Sequence, residues 1–198
     1  MSTRKSSRFS TQSIVMIGMM AAMAFVSNYI RIPLLDSKIH IGNAVCVLNG
    51  LLFGPLGGFL SSGIGNMLYD LMTGYGAECL ITMVSKGAIS AVCGALAWCL
   101  LDRPRLEKKD YPRLIIACVL GAVTYVVLYM LKTFIFGLTV NGLTLEATGL
   151  KMLSKLPASL INAVFAAIAA PVLYSALHPV LRKLGLRKNA CVSNHKGI

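Results

Sequence analysis

Four polar residues stand inside runs that are otherwise apolar: Asp70, Lys86, Lys132 and Asn162. Charge in such a run is costly, so it pairs, faces a wet cavity or serves a function. Helical spacing supplies each charged residue with neighbours. Asn66, Tyr69 and Asp70 stand at i, i+3, i+4. Thr82, Lys86 and Ser90 stand at i, i+4, i+8, and Tyr125, Tyr129 and Lys132 at i, i+4, i+7. On a helix each set shares one face. Asn43 and Asn49 are ~120° apart around a helix, so at most one of them joins that face. Glu78 stands at the end of an apolar run. Together these groups offer donors, acceptors and ring faces, which suits a small polar ligand. Lys86 or Lys132 suits a carboxylate or phosphate, and Asp70 a ring N–H. Tyr125 and Tyr129 suit stacking on a heteroaromatic ring. Tyr29, Tyr69 and Tyr75 lie nearby, where interfacial aromatics also collect. A plainer alternative is that Asp70 or Glu78 pairs with Lys86 or Lys132 and only satisfies a buried charge.

The elements that carry these residues are apolar spans. The chain has 198 residues, is 56% hydrophobic and only 13% charged, with a mean hydropathy of +0.72. Soluble domains run at about 25% charged, so an ordinary soluble domain is excluded, as are a disordered chain and a disulfide scaffold. The net charge of +12 does not require nucleic acid. The basic residues cluster at both ends and in one loop, as topology signals do. Residues 14–30 form the first apolar run. It continues past the length of a signal peptide with no clear cleavage site, so it is read as a span. Residues 41–72 are too long for one crossing of a ~30 Å hydrocarbon core. Gly54-Pro55-Leu56-Gly57-Gly58 interrupts them, because proline removes a donor and glycine weakens a helix. The expected spans are 14–30, 40–54, 57–73, 79–101, 114–137 and 157–180. A basic tail 1–12, a charged loop 102–113 and a basic tail 182–198 lie outside them. An amphipathic stretch before 157 is expected as a short surface helix.

Six spans put both termini on one side, with 13 basic residues there against 4 (Arg31, Lys38, Lys151 and Lys155) on the other. Basic loops are cytoplasmic, so both termini are expected in the cytoplasm of a plasma-membrane protein. A five-span version scores 12 to 5; helix length and the Gly-Pro break decide against it. In the six-span order Asp70, Lys86, Lys132 and Asn162 all lie ~6 to 12 Å deep from the outer side. Nothing comparable enters from the cytoplasmic side.

Small residues recur at i, i+4, among them Gly18/Ala22 and Gly54/Gly58/Ser62/Asn66. Close backbone approach drives helix packing in lipid, so internal packing explains most of these rows, while Gly18 and Ala22 also suit a partner protein. The six cysteines form no CxxC pair. They read as buried small hydrophobes, and no disulfide, metal site or cofactor is expected. His40, His178 and His195 are expected as solvated loop or tail residues. There is no GxxxxGK[ST], HExxH or GxSxG run, so neither ATP binding through a P-loop nor an enzyme is expected.

Two stretches carry a family resemblance: IHIGNAVCVLNGLLFGPLGGFLSSGIGNMLYDLM at 39–72 and KLPASLINAVFAAIAAPVLYSAL at 155–177. With six short spans and a polar outer half, the chain resembles the substrate-binding S components of energy-coupling factor (ECF) transporters, in the riboflavin-type group. The resemblance covers about residues 12–185. It implies an all-α six-span S-component fold that captures a vitamin or vitamin precursor tightly near the outer face. A riboflavin-like substrate is the first expectation, and hydroxymethylpyrimidine, thiamine or a pyridoxine-type compound the next. The implied contacts are Asn43, Asn66, Asp70, Glu78, Lys86, Tyr125, Tyr129, Lys132 and Asn162, under a lid at Arg31–His40. The implied partners are a transmembrane coupling protein and two ATPase subunits. The family docks through an AxxxA pair on its first helix; here the matching residues read Gly18-Met19-Met20-Ala21-Ala22, a GxxxA.

Two other readings stay open at this level. A stand-alone proton-coupled transporter would use the intramembrane Asp and Lys as a relay. It would usually show two related repeats, and residues 14–73 do not convincingly match 79–180. A non-transport membrane scaffold would need no outer cavity.

Overall fold

The structure, a computed structural model, describes residues 11–34, 37–100 and 110–183. Five helices and one hairpin make it up: α1 (Thr11–Ser27), β1 (Arg31–Leu34), β2 (Ser37–His40), α2 (Gly42–Met72), α3 (Cys79–Leu100), α4 (Tyr111–Thr139) and α5 (Leu145–Lys183). A short 3-10 turn, Gly76–Glu78, precedes α3. Most of the two basic tails and of the charged loop expected at 102–113 lie outside the described residues. Among the described residues, α2 to α5 are long and apolar enough to cross a membrane, and α1 is a shorter apolar helix.

The break expected at Gly54-Pro55 is a full reversal. Gly54 has φ 71° and ψ −167° inside α2. Asn49 Nδ2 donates to Ser62 Oγ at 3.0 Å. In one continuous helix those residues would stand ~20 Å apart along the axis. The two arms of α2 therefore fold back on each other. Their backbones almost touch: a Cβ on Gly58 would stand 2.8 Å from Gly50 Cα, and one on Gly94 of α3 would stand 2.6 Å from the Gly54 carbonyl carbon. Larger side chains at these points would push the arms and α3 apart, as the small-residue packing rule requires.

Polar groups lock this junction. The Ser62 and Ser90 hydroxyls are 2.6 Å apart, and Ser90 donates to the Cys46 carbonyl at 2.7 Å. Asn66 Nδ2 donates to the Ser62 carbonyl at 2.8 Å. Each such bond contributes about 0.5–1.5 kcal/mol net. The apolar core beside it holds Val47, Leu48, Ile89 and Leu114, with the thiols of Cys46, Cys93 and Cys118 buried among them. The outside is the inverse of a soluble protein. Val127, Ile168 and Val172 are about 60% exposed, whereas Asn43, Asn49 and Asn162 are at most 1% exposed.

Four expectations need correction. Residues 31–40 are not an irregular loop but an antiparallel hairpin, with Arg31 opposite His40 and Ile32 opposite Ile39. α1 ends at Ser27, short of the expected residue 30. Ser27 Oγ and Asn28 Nδ2 both take the Ala24 carbonyl, at 2.8 Å each, and close the last turn. The amphipathic stretch and the last span are one helix of 39 residues. It runs through Pro157, flanked by Ser154 and Ser159, whose hydroxyls donate to the Lys151 and Leu156 carbonyls. His178, expected to be solvated, is buried in that helix against Tyr174, with ring centroids 5.7 Å apart.

The Gly54 conformation lies in a region essentially reserved for glycine, worth about 1–3 kcal/mol for another residue. Gly54→Ala is therefore expected to lower the melting temperature in detergent, whereas Gly149→Ala, whose Cβ would meet nothing within 4 Å, is expected not to. Equal melting of Gly54→Ala and wild type would show that the reversal needs no glycine.

Candidate functional site

One cavity of about 360 Å³ opens at the end of the bundle where the hairpin sits. Every element sends a residue to it. The second arm of α2 contributes Asn66, Tyr69 and Asp70, and the following turn contributes Tyr75 and Glu78. α3 adds Thr82 and Lys86; α4 adds Tyr125, Tyr129 and Lys132. The end of α1 contributes Asn28, the hairpin Arg31 and His40, and α5 Lys151 and Lys155.

The helix faces read from spacing explain the arrangement. Tyr125 and Tyr129, one turn apart on α4, stack with centroids 5.6 Å apart and planes 22° from parallel. Lys86 Nζ stands 4.9 Å from the Tyr125 ring centroid and Lys155 Nζ 5.7 Å from that of Tyr129. The ring faces attract these ammonium groups through their quadrupoles. Lys132 Nζ pairs with Glu78 Oε2 at 2.6 Å and donates to Thr82 Oγ1 at 3.2 Å. Thr82 also stands beside Asp70. One threonine thus stands with an ammonium and a carboxylate across α2, α3 and α4.

The hairpin is tied down at its base. The His40 backbone N–H donates to Asn162 Oδ1 at 3.0 Å, and Arg31 donates to the Tyr69 hydroxyl at 2.7 Å. Tyr69 also meets Tyr29 edge to face at 5.1 Å, and Asn28 Nδ2 donates to Asn66 Oδ1 at 3.0 Å. The strands therefore close over the cavity on the side of α1 and α5.

Of the nine residues expected at a site, seven line this cavity: Asn66, Asp70, Glu78, Lys86, Tyr125, Tyr129 and Lys132. Asn43 and Asn162 stand behind the wall. Asn43 Oδ1 accepts from Lys86 Nζ, and Asn162 holds the hairpin. Asn49 turns away to Ser62, as the angle between the two asparagines requires. The plainer alternative is realised in part, since Glu78 does pair with Lys132. Gly18 and Ala22 are exposed on α1, beside the equally exposed Val15, Met19 and Val26.

Sequence reasoning missed Asn28, Asn141, Lys151 and Lys155 in the lining, and had Arg31 and His40 only as the ends of the lid. A signal for three of them was in the charge count. Arg31, Lys151 and Lys155 are three of the four basic residues that broke the topology bias, and a cation on the wrong side needs its own reason.

Lys132 is 17% exposed and Glu78 35% exposed, so solvent screens the pair in part. A double-mutant cycle with Glu78→Gln and Lys132→Met is expected to give a coupling of about 0.5–1 kcal/mol in melting experiments. Strict additivity would show that the pair is incidental.

Comparison with known proteins agrees with this geometry. A solved structure of the S component of a bacterial ECF transporter superposes with a TM-score of 0.63. It covers 86% of this chain and 97% of that one at 19% identity, which establishes the shared fold. An uncharacterised Pyrococcus woesei protein, encoded in the 3′ region of a gap gene, is 28% identical over 116 residues, 58% of this chain and 72% of that protein. The sequence profile of the ECF-type riboflavin transporter S component matches residues 8–179. The chain therefore belongs to the ECF-type riboflavin transporter S component family.

Proposed function

We propose that this S component captures a vitamin or vitamin precursor in the cavity under the hairpin. One observation carries the reading. Polar and aromatic groups from α2, α3, α4, α5 and the residue after α1 meet at a single end of a bundle whose outside is apolar. Such a cavity binds; among the described residues it holds no grouping that could ligate a metal ion. In this reading the two arms of α2 count as separate crossings, which makes six. Both termini are cytoplasmic, and the cavity faces outward. The ring of the substrate lies on the Tyr125–Tyr129 stack, and Asp70 accepts from a ring N–H. The hairpin is the lid, because Arg31 and His40 at its base line the cavity and bond its wall.

Release follows from the same architecture. The exposed Gly18/Ala22 face lets a coupling protein approach the α1 backbone closely. Two ATPase subunits drive that partner, and the substrate leaves on the cytoplasmic side. The size of the cavity, about 360 Å³, is at the lower end for small-molecule sites. It admits one heteroaromatic ring system with a short arm more readily than a large conjugate. Riboflavin remains the first candidate, followed by hydroxymethylpyrimidine, thiamine and pyridoxine-type compounds.

Thermal unfolding of the purified protein against a vitamin panel tests this reading. A ligand present at ~100 times its dissociation constant is expected to add ~2.7 kcal/mol. Asp70→Ala and Lys132→Ala are each expected to reduce the shift. An unchanged ligand affinity in both variants would place the site elsewhere.

A further inference from the structure

The wall of the cavity is basic beyond what its own acids balance. Arg31, Lys86, Lys132, Lys151 and Lys155 line it against two carboxylates, Asp70 and Glu78. Both carboxylates sit with the inner lysines. Glu78 holds Lys132 at 2.6 Å, and Asp70 is within electrostatic reach of Lys132 and Lys86. Among the described residues, the hairpin and α5 then add three cations and no acid to the lining. Even without Lys155 the wall would carry two more cations than acids. Glu146, in the first turn of α5, is exposed and outside the lining.

Like charges gathered in a partly dry cavity repel, and water screens them poorly there. An anion relieves that repulsion, whereas a neutral ligand leaves it in place. The placement is also suited to one shape of ligand. The stacked tyrosines have a cation over each outer ring, Lys86 at Tyr125 and Lys155 at Tyr129. Lys151 lies one turn before Lys155, on the same helix face. A ring on Tyr129 thus brings its substituents beside the α5 lysines, and Arg31 comes from the lid above.

We propose that the ligand is a heteroaromatic molecule with an anionic arm, a carboxylate or a phosphate monoester, received by Arg31, Lys151 and Lys155. The proposal rests on the cavity being the capture site. A lipid phosphate offers the same charge but no ring to stack, so a soluble ring-bearing anion is the better fit.

The test uses the full chain in phosphatidylcholine discs, which present no anionic headgroup. Matched pairs are titrated: riboflavin and its 5′-phosphate, pyridoxine and its 5′-phosphate, nicotinamide and nicotinate. For at least one pair the anionic member is expected to bind about tenfold tighter or more. Its affinity is expected to fall as salt rises from roughly 50 to 500 mM, through screening. Lys151→Gln and Lys155→Gln are expected to weaken the anionic member about tenfold each, with Lys→Arg restoring it and the neutral member losing several-fold less. The salt series needs no variant, so it decides even if a substitution unfolds the protein. Neutral members binding as tightly as anionic ones would overturn the anionic arm and leave the capture site standing. Binding by none of the six would overturn the proposal, and failure of thiamine and hydroxymethylpyrimidine as well would overturn the capture reading. Stabilisation by added phosphatidylglycerol that also blocks the soluble anions would assign the cations to lipid and overturn the proposal.

Discussion

The backbone reversal at Gly54 is the constraint on which the rest depends. In a straight helix Asn43 and Asp70 would be ~40 Å apart, one at each side of a bilayer. The reversal returns the second arm beside the first. Asn43 then braces Lys86 from behind the cavity wall, while Asn66 and Asp70 line the front. The conformation at Gly54 is one that other residues pay for in strain. It is held in place by Gly94 pressed against the Gly54 carbonyl and by the Asn49–Ser62–Ser90 contacts just below the cavity.

Given that reversal, membrane physics sorts the side chains. Lipid provides little apolar driving force between helices, so glycines and hydroxyls make the contacts and large apolar side chains turn outward. Polar residues are left with one place to go, the common end of the bundle. There they brace one another: Lys132 with Glu78 and Thr82, Arg31 with Tyr69, His40 with Asn162. Such bracing holds a wall in one geometry before a ligand arrives, which lowers the ordering cost of binding. The described bonds from the hairpin to that wall lie at its base, Arg31 to Tyr69 and His40 to Asn162.

The parts that were legible in the sequence are those with a local cause. The Gly-Pro break and the shared faces of Asp70, Lys86 and Lys132 follow from backbone chemistry and a 3.6-residue period. The stack of Tyr125 on Tyr129 is the same period seen in three dimensions. The missing parts have distant causes. The hairpin at 31–40 depends on Asn162, 122 residues away from His40 in the chain. The continuity of α5 through Pro157 depends on neighbours that proline rules do not see. Lys151 and Lys155 were assigned to a surface helix because polar spacing alone does not say which neighbour covers it. His178, inside the span expected at 157–180, is buried because α5 lays it against Tyr174.

The most direct measurement is an experimental structure of the protein with its captured vitamin. The account predicts the ring against the Tyr125–Tyr129 stack, with Asp70 and at least one lysine in contact and the hairpin closed above. A vitamin held at the opposite end of the bundle, or in a lipid-facing groove outside the hairpin, would contradict it.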